Sequence, residues 1–592
     1  MSNRSLAAIR WATSSRNTQS FLALRENLRI GVAALLIFLS TATSALSQQM
    51  DMSQMDSADS LAWRMPPGGP NMAMMMAPFM GILPAVSPFL PGPEMDVNML
   101  PEALVGGVLS LLDGDTLLLE GQVLRRELNG RSVKIYGFNG QSPGPTIRVP
   151  QDAEITVEFT NTIDFPTTLR WHGVRVENRF DGVPGQTQSP VQVGATYTAQ
   201  IHFPDAGIFW YHPHQRAHIA QDLGMYGNII VESRDVDYYS PVNSEETLIL
   251  DDVLLDDVGW IPFGFEAPSH ALMGRFGNLL LTNGEPKFQR EIKKGDVVRL
   301  FITDASNSRP FNLRIEGGVP MKLVAGDLSK FEREEWISTV IIAPGQRYVV
   351  EARFDEEGEF ALTNRITAVD HWMGEFQYEV DTLGVFSVSD ENTDQDYSSE
   401  FETLRTNPSV MAEFETVRAA AGRPVDEELV LSLQIGELPI PVIQMMEIDT
   451  LYYPPVEFND PMPMMNWLST GMDVQWLLHE PDPGADPRDL GPARGWRFNQ
   501  GDLVKIRLFN TVDSWHPMSH PLHLHGQRFV VLEQDGVPSP NLVWRDTVLV
   551  PVGSTVDLLV EMSNPGTWML NCQIPEHMGS GMAMTFSVTP TG

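Results

Sequence analysis

Cysteine is nearly absent from this chain. Its 592 residues include a single one, Cys572, so a framework of intrachain disulfides is excluded. A lone cysteine is more often a small buried apolar side chain than a reactive group. The residues around Cys572 must therefore decide whether its thiol has a chemical role.

Positive charge is also scarce. The chain has 40 Lys and Arg against 76 Asp and Glu, which gives a net charge of −36. This balance argues against a nucleic-acid partner, because contacts to phosphate need Lys and Arg. Hydrophobic residues make up 42% and charged residues 20% of the chain, a globular composition. At this length we expect two to four domains.

Long hydrophobic runs are missing apart from one at residues 30–39, which follows scattered arginines. A membrane span needs about 20 apolar residues, so this run is too short. Basic residues, a short apolar run and a plausible cleavage site at residues 45–47 are typical of a secretory signal. We predict a signal peptide over residues 1–47, no stable membrane span after its removal, and a secreted or periplasmic protein.

Methionine and proline are concentrated in residues 48–103. Since proline interrupts helices and strands, we predict an irregular N-terminal arm there. Thioether sulfur suits Cu(I), so the arm could bind such an ion or could simply be a linker packed on the body. Its most crowded methionines are Met72, Met74, Met75, Met76 and Met80. A second methionine-rich insert contains Met462, Met464, Met465 and Met472.

From about residue 104 onward the chain repeats two strand patterns three times. The first pattern occurs at residues 149–162, 292–305 and 498–511. The second occurs at residues 192–214, 343–365 and 551–573. Both combine a glycine turn with alternating apolar residues, which are typical of half-buried strands. Three copies of one all-β unit follow, and short strands at this spacing favour Greek-key β-sandwiches.

The repeats define the predicted domains. A polar, partly helical connector is expected between the second and third copies. The boundaries are residues 104–235 for the first domain, 236–395 for the second, 396–430 for the connector and 431–592 for the third.

Histidine is the most informative residue type. Eight of the 13 histidines fall in three clusters. They are His172 in WHG, His212 and His214 in WYHPH with His218 beyond, and His520, His523 and His525 in HPLHLHG with His516 before it. Residues two apart on a strand face the same side, so each HxH pair presents two imidazoles together. Such pairs suit Cu, Zn, Fe or Ni.

The C-terminal segment NCQIPEHMGSGM places Cys572, His577 and Met582 in one loop. His520 can reach them from another strand. Two imidazoles and a thiolate in a trigonal set, with a weak axial methionine, describe a blue-copper electron-transfer site. We predict that His520, Cys572, His577 and Met582 bind one type 1 copper, with electrons entering at His520, Cys572 and His577.

With these motifs the chain resembles the multicopper oxidases over residues 104–592. This family comprises laccases, metal oxidases and copper-resistance oxidases built from three cupredoxin domains. The resemblance rests on WHG at 171–173, HPH at 212–214, HPLHLHG at 520–526 and the Cys572, His577 and Met582 loop. It implies three cupredoxin-like Greek-key sandwiches and copper cofactors. In the family, type 1 copper passes electrons through the cysteine strand to a trinuclear copper cluster that reduces O2 to water.

Three of the eight histidine positions of that cluster carry other residues here: Arg170, Asn571 and Gln573. The internal repeats support this placement, since residues 207–214 align with residues 566–573. The resemblance therefore leaves every copper of the cluster one imidazole short. The type 2 copper would keep His523 beside Arg170, one type 3 copper His214 and His525 beside Asn571, and the other His172 and His212 beside Gln573.

These replacements disfavour copper. Asn and Gln carbonyls are weaker copper ligands than imidazole, and arginine does not lose its proton to ligate. The positive charge of Arg170 near a copper ion costs on the order of several kcal/mol in a partly buried site. We predict that the trinuclear cluster is absent or incomplete. The remaining imidazoles could hold one or two metal ions, or form an empty polar network in which Arg170 bonds Asn571 or Gln573. Whether His218 or His516 replaces a lost ligand stays open.

Three functions remain. The first is an exported copper oxidoreductase that accepts electrons from a small reductant, a metal ion or a redox protein, without normal four-electron O2 reduction. The second is a non-catalytic periplasmic copper-binding protein or one-electron carrier. The third is a scaffold relative of the fold that has lost its chemistry. The intact type 1 set argues against a scaffold, and the remaining imidazoles favour the oxidoreductase.

Overall fold

The computed structural model describes residues 88–370, 375–436, 456–458, 465–466, 471–482 and 491–591. The predicted signal peptide, most of the predicted arm, Met462 and Met464 lie outside the described residues. Within those ranges, the helices are all too short or too polar to cross a membrane.

The first unit is a pair of sheets with strand orders β1-β4-β9-β8-β6 and β3-β2-β5-β7. Helix α1 (Ala217–Ala220) lies between its last two strands. The strands are β1 (Val108–Ser110), β2 (Thr116–Leu128), β3 (Arg131–Phe138), β4 (Thr146–Pro150), β5 (Glu154–Asn161), β6 (Arg170–His172), β7 (Thr196–His202), β8 (Gly207–His212) and β9 (Gly227–Glu232).

The second unit repeats this arrangement. Its strands are β10 (Ser244–Val253), β11 (Leu279–Thr282), β12 (Phe288–Lys294), β13 (Val297–Asp304), β14 (Phe311–Ile315), β15 (Met321–Gly326), β16 (Ser329–Ile337), β17 (Val340–Ile342), β18 (Arg347–Arg353), β19 (Gly358–Asp370) and β20 (Glu375–Asn392). They form sheets of order β11-β10-β13-β18-β15-β16 and β12-β20-β19-β14-β17. Helix α2 (Ala267–Met273) follows β10.

Helices α3 (Ser398–Glu402) and α4 (Pro408–Ala421) join the second unit to the third. The third unit contains β21 (Glu427–Ile435), β23 (Val474–His479), β24 (Trp496–Asn499), β25 (Leu503–Asn510), β26 (His520–Leu524), β27 (Arg528–Gln534), β28 (Val537–Pro538), β29 (Thr547–Val550), β30 (Thr555–Glu561), β31 (Gly566–Cys572), helix α5 (Pro575–Gly579) and β32 (Ala583–Thr589). Its sheets have the orders β23-β21-β25-β30-β27-β28 and β24-β32-β31-β26-β29. The short strand β22 (Val456–Phe458) pairs in parallel with β19 of the second unit.

The predicted all-β class with repeated sandwiches is confirmed. The first sequence pattern folds as the pairs β4–β5, β12–β13 and β24–β25, and the second as β7–β8, β18–β19 and β30–β31. Strand β5 shows the expected alternation of buried and exposed side chains, because one of its faces meets the core and the other meets water. The domain boundaries themselves stay predictions.

Strand register places the histidine pairs. Arg170 on β6 lies opposite His212 on β8, and His523 on β26 lies opposite Asn571 on β31. Both positions belong to buried strands. The sheets of the first and third units therefore each present one set of imidazoles.

Gly526 ends the HPLHLHG motif at a point of tight packing. Its φ is +64°, and a Cβ added there would lie 2.4 Å from the ring of Trp568. Trp568 is fully buried in β31. Close approach of the backbone to this ring thus fixes the end of the strand that carries His523 and His525.

We expect Gly526→Ala to destabilise the protein by about 3 kcal/mol, because left-handed strain adds to overpacking. Gly536→Ala is the matched control, since Gly536 also has a positive φ of +75° but open space around its Cβ position. It should cost only about 1 kcal/mol. Urea unfolding measures both changes, and equal losses would show that the contact with Trp568 does not matter.

Candidate metal centres

The predicted type 1 residues converge in the third unit. Strand β26 supplies His520, β31 ends at Cys572, and α5 carries His577. The Cys572 Sγ lies 3.8 Å from Nδ1 of each histidine. The three potential ligand atoms are all within 4.8 Å of one another, and all three residues are buried. The set therefore has the size and chemistry of a metal site.

Met582 is fixed beside this set by its backbone. Its N–H donates to the carbonyl of His577 at 2.9 Å, and its carbonyl accepts from the N–H of Cys572 at 3.0 Å. Its side chain is fully buried. These two backbone bonds place Met582 in the same buried cluster as Cys572.

Burial dominates the electrostatics of the type 1 set. It lowers the pKa of His520 to about 3 and the pKa of His577 well below its usual value. It raises the pKa of the Cys572 thiol above its usual range. Both imidazoles are therefore neutral, the form that binds metal, and a bound cation would remove the thiol proton. The donor set fits a single copper ion.

Two contacts orient the rings. His577 Nε2–H donates to the carbonyl of Leu272 at 3.2 Å, which leaves the Nδ1 lone pair directed at the cysteine. Trp476 packs at 4.6 Å, between ring centroids, from both His520 and His577. Its ring excludes water from one side of the set.

Five further imidazoles meet between the first and third units and form the second histidine cluster. They belong to His172, His212, His214, His523 and His525. The rings of His172 and His523 stack with centroids 3.9 Å apart, and those of His214 and His525 meet at 5.4 Å. His212 lies 5.7 Å from His172. The structure thus brings together all the histidines that the sequence assigned to this cluster.

Arg170 occupies the same cluster. Its Nη2 donates to Nε2 of His523 at 2.8 Å and lies 3.6 Å from Asp181 Oδ1. The side chain is 1% exposed. Its Nε and Nη1 have no hydrogen-bond partner in the described part of the chain. One of the two alternatives left open by the sequence was a polar network in which Arg170 bonds Asn571 or Gln573. The hydrogen bond of the guanidinium is to His523 instead.

The other two replaced positions also lie in the cluster. Asn571 Oδ1 is 2.9 Å from Nε2 of His525, whose Nδ1–H donates to Asp181 at 2.8 Å. Both nitrogens of this ring therefore face oxygen atoms. Gln573 packs beside Gly345, where an added Cβ would lie 2.7 Å from Gln573 and 3.1 Å from the His172 ring.

Sequence reasoning missed two aspartates and an arginine that hold these rings. Asp546 Oδ1 accepts from Nε2–H of His172 at 3.1 Å, and its backbone carbonyl accepts from Nδ1–H of His523 at 3.0 Å. Arg347, from the second unit, donates to both oxygens of Asp546. Asp181 bonds His525. A buried aspartate at the edge of an apolar segment, VWRDTVLV, was the available signal for Asp546.

The imidazoles of this cluster are neutral and lie beside the buried guanidinium of Arg170. Burial lowers the pKa values of His172, His212 and His214 well below normal, and lowers those of His523 to about 4 and His525 to about 3. The charge of Arg170 lowers the pKa values of His523 and His525 further. Burial alone would raise the pKa of Asp181, but His525 and Arg170 hold that pKa below its usual range.

These residues do not fit a trinuclear copper cluster. The lone pair of His523 Nε2 accepts a hydrogen bond from the guanidinium. The ring of His525 donates from Nδ1 to Asp181, and its Nε2 lies against Asn571 Oδ1. Within the described residues, His172 Nδ1 and His212 Nε2 have no partner. Of the eight histidine positions of the family's cluster, three therefore carry other residues, and a fourth has its lone pair engaged by Arg170.

The two histidines left open by the sequence lie elsewhere. His218 lines a cavity together with His270. The ring of His516 packs at 5.2 Å from Phe458, and its charge would act on His520 and His577 of the type 1 set. The described contacts thus give neither of them a place among the five imidazoles.

Comparison with known proteins identifies the relatives of this fold. A family model described as multicopper oxidase matches residues 122–236, and a second with the same description matches residues 463–592. The multicopper oxidase MmcO of Mycobacterium tuberculosis is 26% identical over 491 residues, which cover 79% of this chain and 86% of that protein. The cell division protein FtsP of Proteus mirabilis is 25% identical over 502 residues, covering 82% and 92%.

A solved structure has the same fold. A multicopper oxidase from Campylobacter jejuni, described as a metallo-oxidase, superposes with a TM-score of 0.63 at 20% identity. The match covers 86% of this chain and 99% of that one.

The buried neutral histidines predict an acid-sensitive fold. Their folded pKa values lie below the unfolded value of about 6.5, so below that pH the unfolded chain takes up protons that the folded chain does not. Stability should therefore fall as pH drops from about 6.5 to about 4, by up to about 1.4 kcal/mol per pH unit for each such histidine.

Urea unfolding of the copper-free protein between pH 7.5 and 4.5 measures this slope. His218→Phe should make the dependence of stability on pH shallower by the contribution of one histidine. The reason is that burial and neighbouring cations lower the pKa of His218 to about 4. Constant stability between pH 7 and 5 would contradict the expectation.

Proposed function

Because the chain belongs to the multicopper oxidase family, we propose that it is an exported oxidoreductase with a single working copper. Its type 1 site consists of His520, Cys572, His577 and Met582. A small reductant, a metal ion or a redox protein donates the electron, and normal four-electron O2 reduction does not occur. Export rests on the signal pattern of residues 1–47.

One observation carries this proposal: the Arg170 guanidinium lies 2.8 Å from His523 Nε2, in the middle of the second histidine cluster. A copper ion bound by that nitrogen would need the lone pair that accepts the hydrogen bond from Arg170. It would also lie within a few ångströms of a buried positive charge, which costs on the order of several kcal/mol. Among the described residues, no arginine or lysine forms a hydrogen bond or ion pair with the type 1 set.

Copper in a type 1 set supplies reversible one-electron chemistry. The chain's own residues supply the rest. His577 is oriented by its bond to Leu272, and Trp476 shields both imidazoles from water. Asn571 and Gln573, the neighbours of Cys572, have amide side chains in place of the imidazoles that would link the cysteine to a second centre.

A non-catalytic electron carrier is the second candidate. It is favoured by the hydrogen bonds that satisfy much of the second cluster without any metal, from Arg170 to His523 and from His525 to Asp181. A scaffold role is the third candidate, and the similarity to a cell division protein supports it.

Copper content and absorption of the copper-loaded chain test the proposal. We expect about one copper per chain and an intense blue band, since one His2Cys set with an axial methionine is intact. Cys572→Ser should lose both, because the thiolate is the source of the band. About four coppers, with O2 consumed on adding a reductant, would refute the proposal. No copper at all would favour the scaffold.

Restoring the missing imidazoles should restore copper. We expect the triple variant Arg170→His, Asn571→His, Gln573→His to rise from about one to about four coppers per chain, because it removes the buried charge and completes the ligand set. Arg170→Lys is the matched control, since it keeps the charge, and it should stay at one. Metal analysis after dialysis measures both, and a triple variant that stays at one would contradict the assigned ligand positions.

A further inference from the structure

Three Asn-Gly pairs of this chain close hairpin turns with the same backbone. They are Asn129-Gly130 between β2 and β3, Asn139-Gly140 after β3 and Asn283-Gly284 after β11. The φ angles of asparagine and glycine are +50° and +75° in the first pair, +52° and +75° in the second, and +54° and +76° in the third. Positive φ at both central residues defines a type I′ turn, for which Asn-Gly is a preferred sequence. The chain thus presents one dipeptide, in one conformation, in three surroundings.

Two of the three asparagine amides are anchored to a neighbouring strand. Asn139 Oδ1 accepts from the N–H of Glu120 at 2.7 Å, and Asn139 Nδ2 donates to the carbonyl of Leu118 at 2.9 Å. Both partners belong to β2. Asn283 makes the equivalent pair of bonds to the backbone of β10, at 2.8 Å each. Both polar atoms of these two side chains are therefore held by main-chain groups.

Asn129 lacks this anchor. Its side chain and the N–H of Gly130 form no hydrogen bond with any residue that the structure describes. Both residues are exposed, and Asn139 is exposed as well. Exposure therefore does not separate these two turns, whereas the hydrogen bonds of the amide do.

An Asn-Gly pair carries its own nucleophile, because the backbone nitrogen of the glycine can attack Cγ of the asparagine once it has lost its proton. The new N–C bond closes a five-membered succinimide, and the bond from Cγ to Nδ2 breaks to release ammonia. Water then opens the ring at either of its two carbonyls, which gives isoaspartate or aspartate. Glycine obstructs this attack least, since it has no Cβ.

Ring closure requires Cγ to turn toward the glycine nitrogen. An amide that is anchored at both Oδ1 and Nδ2 can do so only after two hydrogen bonds break. The anchors of Asn139 and Asn283 therefore oppose the reaction, and Asn129 meets no such barrier.

We propose that Asn129 is a site of spontaneous deamidation to isoaspartate and aspartate, and that Asn139 and Asn283 are protected. The product gains a negative charge. Isoaspartate also runs the main chain through the side-chain carbon and lengthens a two-residue turn by one methylene. Because loop length selects the turn type, the modified turn should disturb the pairing of Leu128 with Arg131 at the end of β2 and β3.

Peptide mapping by mass spectrometry tests the proposal on the folded full chain, incubated at mildly alkaline pH. We expect the mass gain of deamidation to appear at least about tenfold faster at Asn129 than at Asn139 or Asn283, because two hydrogen bonds must break at each protected site. Equal rates at the three sites, or a faster reaction at either anchored asparagine, would overturn the proposal.

The same incubation in urea is the matched control. Unfolding removes the anchors, so the three dipeptides should then deamidate at similar rates. If Asn129 kept its full advantage in the unfolded chain, the neighbouring residues in sequence would explain the difference, and the anchors would not.

Asn129→Asp should abolish the mass gain at this turn and leave the other two sites unchanged, since Asp-Gly also favours the type I′ turn. Enzymatic methylation of isoaspartyl carboxylates identifies the product in the unsubstituted chain. Isoaspartate should form together with aspartate, and faster as pH rises, because the attacking nitrogen must lose its proton. Aspartate alone, or a rate independent of pH, would reject ring closure by Gly130.

Discussion

A buried guanidinium surrounded by imidazoles governs the chemistry of this protein. Arg170 lies in the position where the fold family gathers histidines around three copper ions. Removing its charge from water costs several kcal/mol, and only close partners offset that cost. Asp181 supplies the opposite charge and His523 a lone pair. The bond from Arg170 engages the lone pair of His523 that a metal ion at that nitrogen would need.

The network of hydrogen bonds around Arg170 extends across all three units of the chain. Asp181 of the first unit reaches His525 of the third, and Arg347 of the second unit bonds Asp546, which in turn bonds His172. Polar groups in a low-dielectric interior are costly unless each one is satisfied. The contacts therefore fix the relative positions of the units at this interface by hydrogen bonds, where the family uses metal ligands.

Strand geometry separates the type 1 residues from the second histidine cluster. Successive side chains on β31 point to opposite faces, so Cys572 belongs to the core of the third unit, whereas Asn571 contacts His525 of the second histidine cluster. The type 1 set depends on β26, α5 and Trp476, none of which needs a metal in the second cluster. Substitutions on one face of β31 consequently leave the other face intact.

The type 1 set was predictable from sequence because three of its members lie within eleven residues of one another, and because HPLHLHG is a strand with a readable period. The repeats likewise predicted the all-β units, since alternation of apolar residues reports directly on one-sided burial. The replaced positions Arg170, Asn571 and Gln573 could be identified for the same reason, by aligning one repeat with another.

The sequence by itself thus determined which residue types stand at each strand position, and with them the fold class and the three positions where Arg170, Asn571 and Gln573 replace histidine. Only the tertiary structure decided that Arg170 bonds His523, that Asp181 and Asp546 hold the rings, and that His218 belongs to a separate cavity. These contacts join residues up to 374 positions apart. Such pairings follow from how sheets of different units pack, which no local pattern of residues encodes.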